Sequence, residues 1–134
     1  KRLKMDEVPR MAIDVNDMLP AVGQGAIGIE RRMSDKRMAD MLGSIHHMKT
    51  GQRLAAERAF LTALDGSCET PIAGLAELDG GSIRLRGEVL RLDGSDVISD
   101  DVRVLIEDGA EAGRAMAKKL LSQAGDGFFD WRES

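Results

Sequence analysis

The only cysteine of the 134-residue chain, Cys68, is the first candidate for chemistry. It lies between a helical pattern that ends at Leu64 and a strand pattern that follows Pro71. Gly66 stands where a left-handed helix cap requires glycine, and the proline prevents a helical restart. This spacing predicts a thiol on a short, rigid loop between two regular elements, where a ligand can reach it.

Two roles for Cys68 fit this position. A free cysteine is commonly an inert small hydrophobe, so the thiol could be purely structural. A protease-type nucleophile is disfavoured, because Glu69 and the negative end of the preceding helix oppose a thiolate. A cysteine alkylated once and kept as a thioether tolerates such surroundings better. Spacing alone therefore leaves a structural thiol and a covalent attachment point open.

The second candidate is the glycine-rich stretch of residues 23–28, with the sequence GQGAIG. It matches the GxGxxG pattern of dinucleotide-binding proteins, whose mechanism needs a strand before the glycines and a helix after them. Residues 26–31 alternate weakly and predict a strand instead. The alternatives are a tight glycine turn, or a turn in which Gln24, flanked by Gly23 and Gly25, offers its amide to a ligand.

No other residues form a clear catalytic or metal-binding set. His46 and His47 point in different directions on a helix start, and the chain has no further histidine to complete a zinc site. Helix capping or solvent exposure explains them better. Two further sets of neighbouring charged residues are Glu57 and Arg58, and Arg84 and Arg86. Both sets are interpreted as solvated faces or as members of local salt bridges.

Hydrophobic periodicity predicts an α+β fold, a three-stranded antiparallel sheet packed by helices. Helical spacing predicts helices over residues 34–45, with Ser34 as the N-cap, 48–64 and 110–123. Strand patterns cover residues 72–78, 82–90 and 97–106, and short glycine turns between them predict a meander. A strand is also expected near residues 11–13, and an aromatic tail of Phe128, Phe129 and Trp131 is expected to dock.

Composition excludes several classes of function. Hydrophobic residues make up 43% of the chain and charged residues 31%, which is typical of a soluble globular protein. No apolar run reaches the ~18 residues that span a membrane, and no signal-peptide pattern opens the chain. A lone cysteine favours the cytoplasm. The net charge of −4 argues against a nucleic-acid partner, which needs a basic face.

Three longer stretches and one turn resemble hallmark motifs of the porphobilinogen deaminases, also called hydroxymethylbilane synthases. They occur in the family's order along most of the chain: LPAVGQGAIGIE at residues 19–30, AERAFL at 56–61, LDGSCETPIA at 64–73, and LDGS at 92–95. The family's usual form before the cysteine is LEGG, so Asp65 and Ser67 depart from it. The resemblance implies a transferase of tetrapyrrole and haem biosynthesis.

The same resemblance implies roles for the two candidate sites. Cys68 would carry a dipyrromethane cofactor through a thioether, as the primer to which four porphobilinogen units are added before hydroxymethylbilane is released. Gln24, with Gly23 and Gly25, matches the glutamine that lies near the cofactor. The family's catalytic aspartate and most of its binding arginines precede the part matched here. No catalytic residue is therefore expected in this chain, and the two histidines alone predict no metal site.

The resemblance also implies a division of the chain. Residues 1–25 would end the second domain and cross between domains, residues 26–45 would be a strand and helix belonging with the first domain, and residues 46–134 would form the C-terminal cofactor-carrying domain. Because family chains are more than twice this length, we expect a C-terminal fragment that is inactive alone, lacks the cofactor and self-associates through its remnant segments, from a monomeric parent. The alternative is a non-enzymatic α+β binding or interaction module with a structural cysteine.

Overall fold

The structure, a computed structural model, describes residues 9–64, 71–125 and 128. Its helices are α1 (Lys36–Gly43), α2 (Met48–Ala63) and α3 (Gly109–Ala124). Its strands are β1 (Ile72–Asp79), β2 (Ser82–Leu90) and β3 (Val97–Leu105), and a short 3-10 turn (Ile106–Asp108) joins β3 to α3. Within these ranges, no helix combines the length and apolar character needed to cross a membrane.

The three strands form an antiparallel sheet in the order β1-β2-β3. Asp79 pairs with Ser82 across the first turn, where Gly80 has a φ of 58°. Gly94, with a φ of 71°, lies in the second turn. Such positive φ values favour glycine, which explains the turn residues that the sequence supplies. The predicted meander and the α+β fold are confirmed.

Helices α2 and α3 pack side by side on one face of this sheet. A side chain at Gly87 of β2 would meet Phe60 of α2 at 2.7 Å and Met116 of α3 at 2.8 Å, so both helices cover the same face. The helices also approach each other closely, because a Cβ at Gly113 would lie 2.4 Å from the Ala56 carbonyl oxygen. Glycines therefore bring the two helices and the sheet near enough to one another for a dense core.

Several details of the sequence prediction are wrong. Residues 26–31 and 11–13 form no strand, because a strand needs a hydrogen-bonded neighbour and the described chain supplies none there. Ile27 is accordingly 93% exposed. Helix α1 is capped by Asp35 rather than by Ser34, since the Asp35 carboxylate accepts the Met38 N–H at 2.8 Å. Strand β3 ends at Leu105, one residue earlier than predicted.

Of the predicted aromatic tail, only Phe128 lies within the described residues. Its side chain is buried in the core, and the Arg91 guanidinium lies 5.7 Å from the centre of its ring. Docking of the tail is thus confirmed at this residue. Phe129, Trp131 and the predicted helix cap Gly66 lie outside the described residues.

The outer face of the sheet is less solvated than predicted. Arg84 forms a salt bridge with Asp101, which fits the local salt bridge that was one of the two predicted alternatives. This hydrogen-bonded guanidinium holds the pKa of the Asp101 carboxyl below its usual value. Arg86, by contrast, is only 9% exposed. Its guanidinium donates to Glu77 at 2.8 Å and to the Asn16 side chain at 2.9 Å. The chain before α1 therefore covers part of this face through Arg86.

The close approach of α2 and α3 yields a first prediction. Gly113→Ala should lower the free energy of unfolding by about 1–3 kcal/mol, because the new methyl group overlaps the backbone of α2. Urea denaturation followed by circular dichroism measures this. The matched control is Gly43→Ala, another helical glycine, whose added Cβ meets no atom within 4 Å. Equal stability of the two variants would contradict the packing described here.

A second prediction concerns Glu88, on the outer face of β2. Burial raises the pKa of its carboxyl above the usual value, and nearby Arg86 only partly offsets this effect. The folded state therefore binds the proton more tightly than the unfolded chain, so this group's contribution to stability falls as pH rises through the raised pKa. Glu88→Gln should be slightly more stable than the parent chain at pH 7. The gain in stability should vanish below about pH 3.5, where Glu88 is protonated in both the folded and the unfolded state. A Glu88→Gln variant less stable than the parent chain at pH 7 would contradict this prediction.

Candidate functional site

The glycine-rich stretch folds into two successive turns around Gln24. The Gln24 N–H donates to the Ala21 carbonyl at 3.1 Å, and the Ala26 N–H donates to the Gly23 carbonyl at 3.1 Å. Gly23 and Gly25 have φ values of 72° and 77°, which L-residues rarely adopt. The turn interpretation is confirmed. The chain after the turn is not helical up to α1, so the helix that dinucleotide binding needs directly after the glycines is missing.

A buried carboxylate fixes this turn to the domain. Glu57 of α2 is only 5% exposed, and its two oxygens accept the Gly23 N–H and the Ala76 N–H, each at 2.8 Å. The Gly74 N–H donates to the Pro20 carbonyl at 3.0 Å. The N–H groups of Ala76 and Gly74, both in β1, point away from β2, at the edge of the sheet. The chain around the turn thus satisfies backbone donors that an edge strand would otherwise leave open.

The turn and helix α2 enclose a small cleft, which we call the Gln24 cleft. Its volume is about 140 Å³. Residues 23–26 form one wall, and the other wall includes Thr50, Arg53, Leu54 and Glu57 of α2. Gln24 is exposed. Its side-chain amide, carried on a turn with fixed backbone, is therefore available to donate and accept hydrogen bonds with a ligand.

Cys68 lies outside the described residues, so its relation to the Gln24 cleft stays a prediction. What the structure does describe is the pair of elements that flank it in sequence. Helix α2 ends at Ala63 and strand β1 begins at Ile72, in agreement with the predicted helix-to-strand connection.

The two histidines lie at the start of α2. His47 is the N-cap residue, and its Nδ1 lies 2.8 Å from the Thr50 hydroxyl. Within the described ranges, no group of three or more potential metal-ligating side chains occurs. Next to His46 opens a larger groove of about 430 Å³, whose lining includes Ile27, Ile29 and Leu42. We call it the apolar groove.

Sequence reasoning missed two residues of the Gln24 cleft, Glu57 and Arg53. Glu57 was interpreted as part of a solvated charged pair, which is wrong because its carboxylate is buried and binds two backbone N–H groups. A signal was present: Glu57 lies three residues after Leu54 and three before Phe60, within the apolar stripe of the helix. A carboxylate at such a position needs buried hydrogen-bond donors.

These features define a class of protein: an α+β domain in which a glycine-bracketed glutamine turn is bound to a helix and to the edge of an antiparallel sheet. Comparison with known proteins supplies the family. A family model described as "Porphobilinogen deaminase, dipyromethane cofactor binding domain" matches residues 1–40. A second, "Porphobilinogen deaminase, C-terminal domain", matches residues 52–122. The chain belongs to the porphobilinogen deaminase family.

Individual relatives agree. The chain is 52% identical to the porphobilinogen deaminase of Paracoccus denitrificans, over 97% of this chain and 42% of that protein. It is 46% identical to the chloroplastic porphobilinogen deaminase of Pisum sativum, over 97% of this chain and 36% of the relative. It is 42% identical to the porphobilinogen deaminase of Moorella thermoacetica, over 92% of this chain and 39% of that protein. The chain thus spans about two fifths of the length of these relatives.

The Glu57 contacts yield a third prediction. Glu57→Gln keeps the shape of the side chain but turns an NH₂ group toward one of the two backbone donors. The variant should lose about 1–3 kcal/mol of unfolding free energy, the usual cost of an unsatisfied buried donor. Urea denaturation measures the loss. Glu111→Gln, which removes an exposed ion pair with Arg114 on α3, is the control and should cost less than about 0.5 kcal/mol. Equal costs would show that the Glu57 carboxylate does not hold the turn.

Proposed function

We propose that this chain is the cofactor-carrying part of a porphobilinogen deaminase, a transferase that joins four porphobilinogen units into hydroxymethylbilane on a dipyrromethane primer. The observation that carries the proposal is the Gln24 turn, held by the buried Glu57 carboxylate. It lies inside the stretch matched by the dipyromethane cofactor binding domain. An exposed amide on a fixed turn suits a ligand that carries many hydrogen-bonding groups.

Each candidate residue of this chain has its own role in holding the cofactor. Cys68 holds the dipyrromethane through a thioether, and Gln24 binds it through the side-chain amide while Gly23 and Gly25 give the turn its shape. When bound, the dipyrromethane supplies the free pyrrole carbon that is extended. This chain contributes attachment and orientation. The groups that assist deamination belong to polypeptide outside it, so no residue here is assigned a catalytic role.

The proposed domain division follows from the same function. Residues 1–25 end one domain and cross to another, residues 26–45 pack against the family's first domain, and residues 46–134 form the C-terminal domain. The exposure of Ile27 and Ile29 and the apolar groove beside them support the second part, because apolar groups of this size favour burial against further polypeptide.

Three further properties complete the proposal. The 134-residue chain alone neither turns over porphobilinogen nor acquires the dipyrromethane, since the attached primer needs walls that this chain does not provide. Isolated copies associate through residues 1–45, whereas the parent is a monomer. The compartment is the cytoplasm, which a lone cysteine favours, although the Pisum sativum relative is chloroplastic.

Intact-mass measurement gives the fourth prediction. The parent protein that contains this chain should carry the added mass of one dipyrromethane, which peptide mapping should locate at Cys68. Cys68→Ser should lose both the adduct and the turnover of porphobilinogen, while Ser67→Ala, the neighbouring control, should keep both. A parent that carries no adduct at Cys68 and does not turn over porphobilinogen would overturn the proposal and favour a non-enzymatic module with a structural thiol. Turnover by the 134-residue chain alone would refute its expected inactivity.

A further inference from the structure

Arg86, on the outer face of β2, keeps an unpaired hydrogen-bond donor inside the protein. The residue is only 9% exposed, and its Nε–H is sealed from solvent with no acceptor among the residues that the structure describes. An unsatisfied buried donor is unfavourable, so native structures rarely keep one without a compensating contact. The orientation of this side chain therefore needs an explanation from its other contacts.

Arg84, two residues earlier on the same face, shows the usual arrangement of a guanidinium. Its Nε and Nη2 both donate to the Asp101 carboxylate, as a planar fork does when it pairs with a carboxylate. Arg86 pairs with Glu77 through Nη2 alone, at 2.8 Å. Its Nη1 points to a different part of the chain. Arg86 has therefore given up a two-donor ion pair for another contact.

The other contact is with residues 14–18, which form a compact turn that we call the Asp14 turn. The Asp14 carboxylate accepts the Asn16 N–H at 2.8 Å. The Asp14 carbonyl accepts the N–H groups of Asp17 and Met18 at 3.0 and 3.1 Å. These bonds give the turn a shape of its own, so a contact with one of its residues fixes the others as well.

Nη1 of Arg86 fastens this turn to the sheet. It donates to the Val15 carbonyl at 3.3 Å and to the Asn16 side chain at 2.9 Å, across 71 and 70 positions of the sequence. This anchor is separate from the one that holds the glycine turn, because Glu57 binds the Gly23 N–H at the edge of β1. The chain that leads to Gln24 is therefore attached to the domain at two independent points.

The chain that enters the Asp14 turn is less constrained. Residues 9–13 form no helix or strand, and the side chains of Met11 and Ile13 are 88% and 56% exposed. We propose that Arg86 is a positioning residue: by fixing the Asp14 turn on the sheet, it sets the direction in which the chain before residue 14 leaves the C-terminal domain. The inference rests on the proposed function, in which residues 1–25 end one domain and cross to another.

The test measures backbone order in the isotopically labelled 134-residue chain by NMR relaxation. In Arg86→Met, which keeps most of the bulk but removes the donors, the order parameters of residues 14–18 should fall from about 0.85 to below about 0.6. The Gln24 amide should stay ordered, since Glu57 holds that turn separately. Arg84→Met, on the same strand and the same face, is the matched control and should leave residues 14–18 unchanged. Arg86→Lys, which keeps the charge but loses the fork, should fall between the two.

Two variants of the turn itself keep the test open if Arg86→Met does not fold. Asn16→Ala removes an acceptor from an exposed residue and should lower the order of residues 14–18 in the same direction. Asn16→Asp keeps that acceptor and should behave like the parent chain. Thermal unfolding of each variant checks that it is folded.

The second measurement uses the parent protein that contains this chain. Arg86→Met should lower kcat/KM for porphobilinogen by about tenfold to hundredfold, the effect of misplacing groups around a reacting centre, while it keeps the dipyrromethane adduct at Cys68. Arg84→Met should keep both. Unchanged order in residues 14–18, or equal turnover by the two arginine variants, would overturn the inference. A parent without adduct or turnover overturns the proposed function instead, and the order parameters then decide on the Arg86 anchor alone.

Discussion

The structure depends on one buried carboxylate. Glu57 holds the glycine turn through the Gly23 N–H and the edge of the sheet through the Ala76 N–H, both at 2.8 Å. Burying a charge is unfavourable unless strong donors surround it, and two backbone N–H groups supply that compensation. Because the donors come from distant parts of the sequence, the contact ties helix, turn and strand into one unit. The turn is thus held by the interior of the domain, although it lies on the surface.

The packing of α2 against α3 and against the sheet keeps Glu57 in place. Helix α2 lies so close to α3 that only glycine fits at position 113, opposite the Ala56 carbonyl. The same helix presses Phe60 against Gly74 and Gly87 of the sheet. A helix packed in this way on two sides has little freedom to shift or rotate. The atoms of Glu57 are therefore held at a fixed distance from β1, and the Gln24 turn is held at a fixed distance from α2.

The sequence was sufficient wherever local periodicity decides the structure. The bounds of β2, the two glycine turns and the extents of α2 and α3 follow closely from hydrophobic spacing and turn residues. Prediction failed where the outcome depends on contacts between distant segments. Residues 26–31 have a strand pattern but no neighbouring strand in the described chain, so they form no strand. The strand pattern predicts Arg86 on the solvent-exposed face, but in the structure the chain near Asn16 covers it. Of the site, Gln24 and its glycines were one alternative that the glycine-rich pattern left open and that the family resemblance favoured, whereas the burial of Glu57 required the fold.

The net charge of the chain says little about the surroundings of the Gln24 cleft. The chain carries a charge of −4, from which the sequence analysis argued against a nucleic-acid partner. Electrostatic influence in solution, however, extends only about 8–10 Å at physiological salt, so the local arrangement of charges decides what a cleft attracts. Asp79, Asp101 and Glu111 are each paired with an arginine at other surfaces of the domain. Within the cleft, the Glu57 carboxylate accepts two backbone N–H groups, and the Arg53 guanidinium donates to the Thr50 hydroxyl. The contacts of the individual side chains, rather than the net charge, therefore describe this cleft.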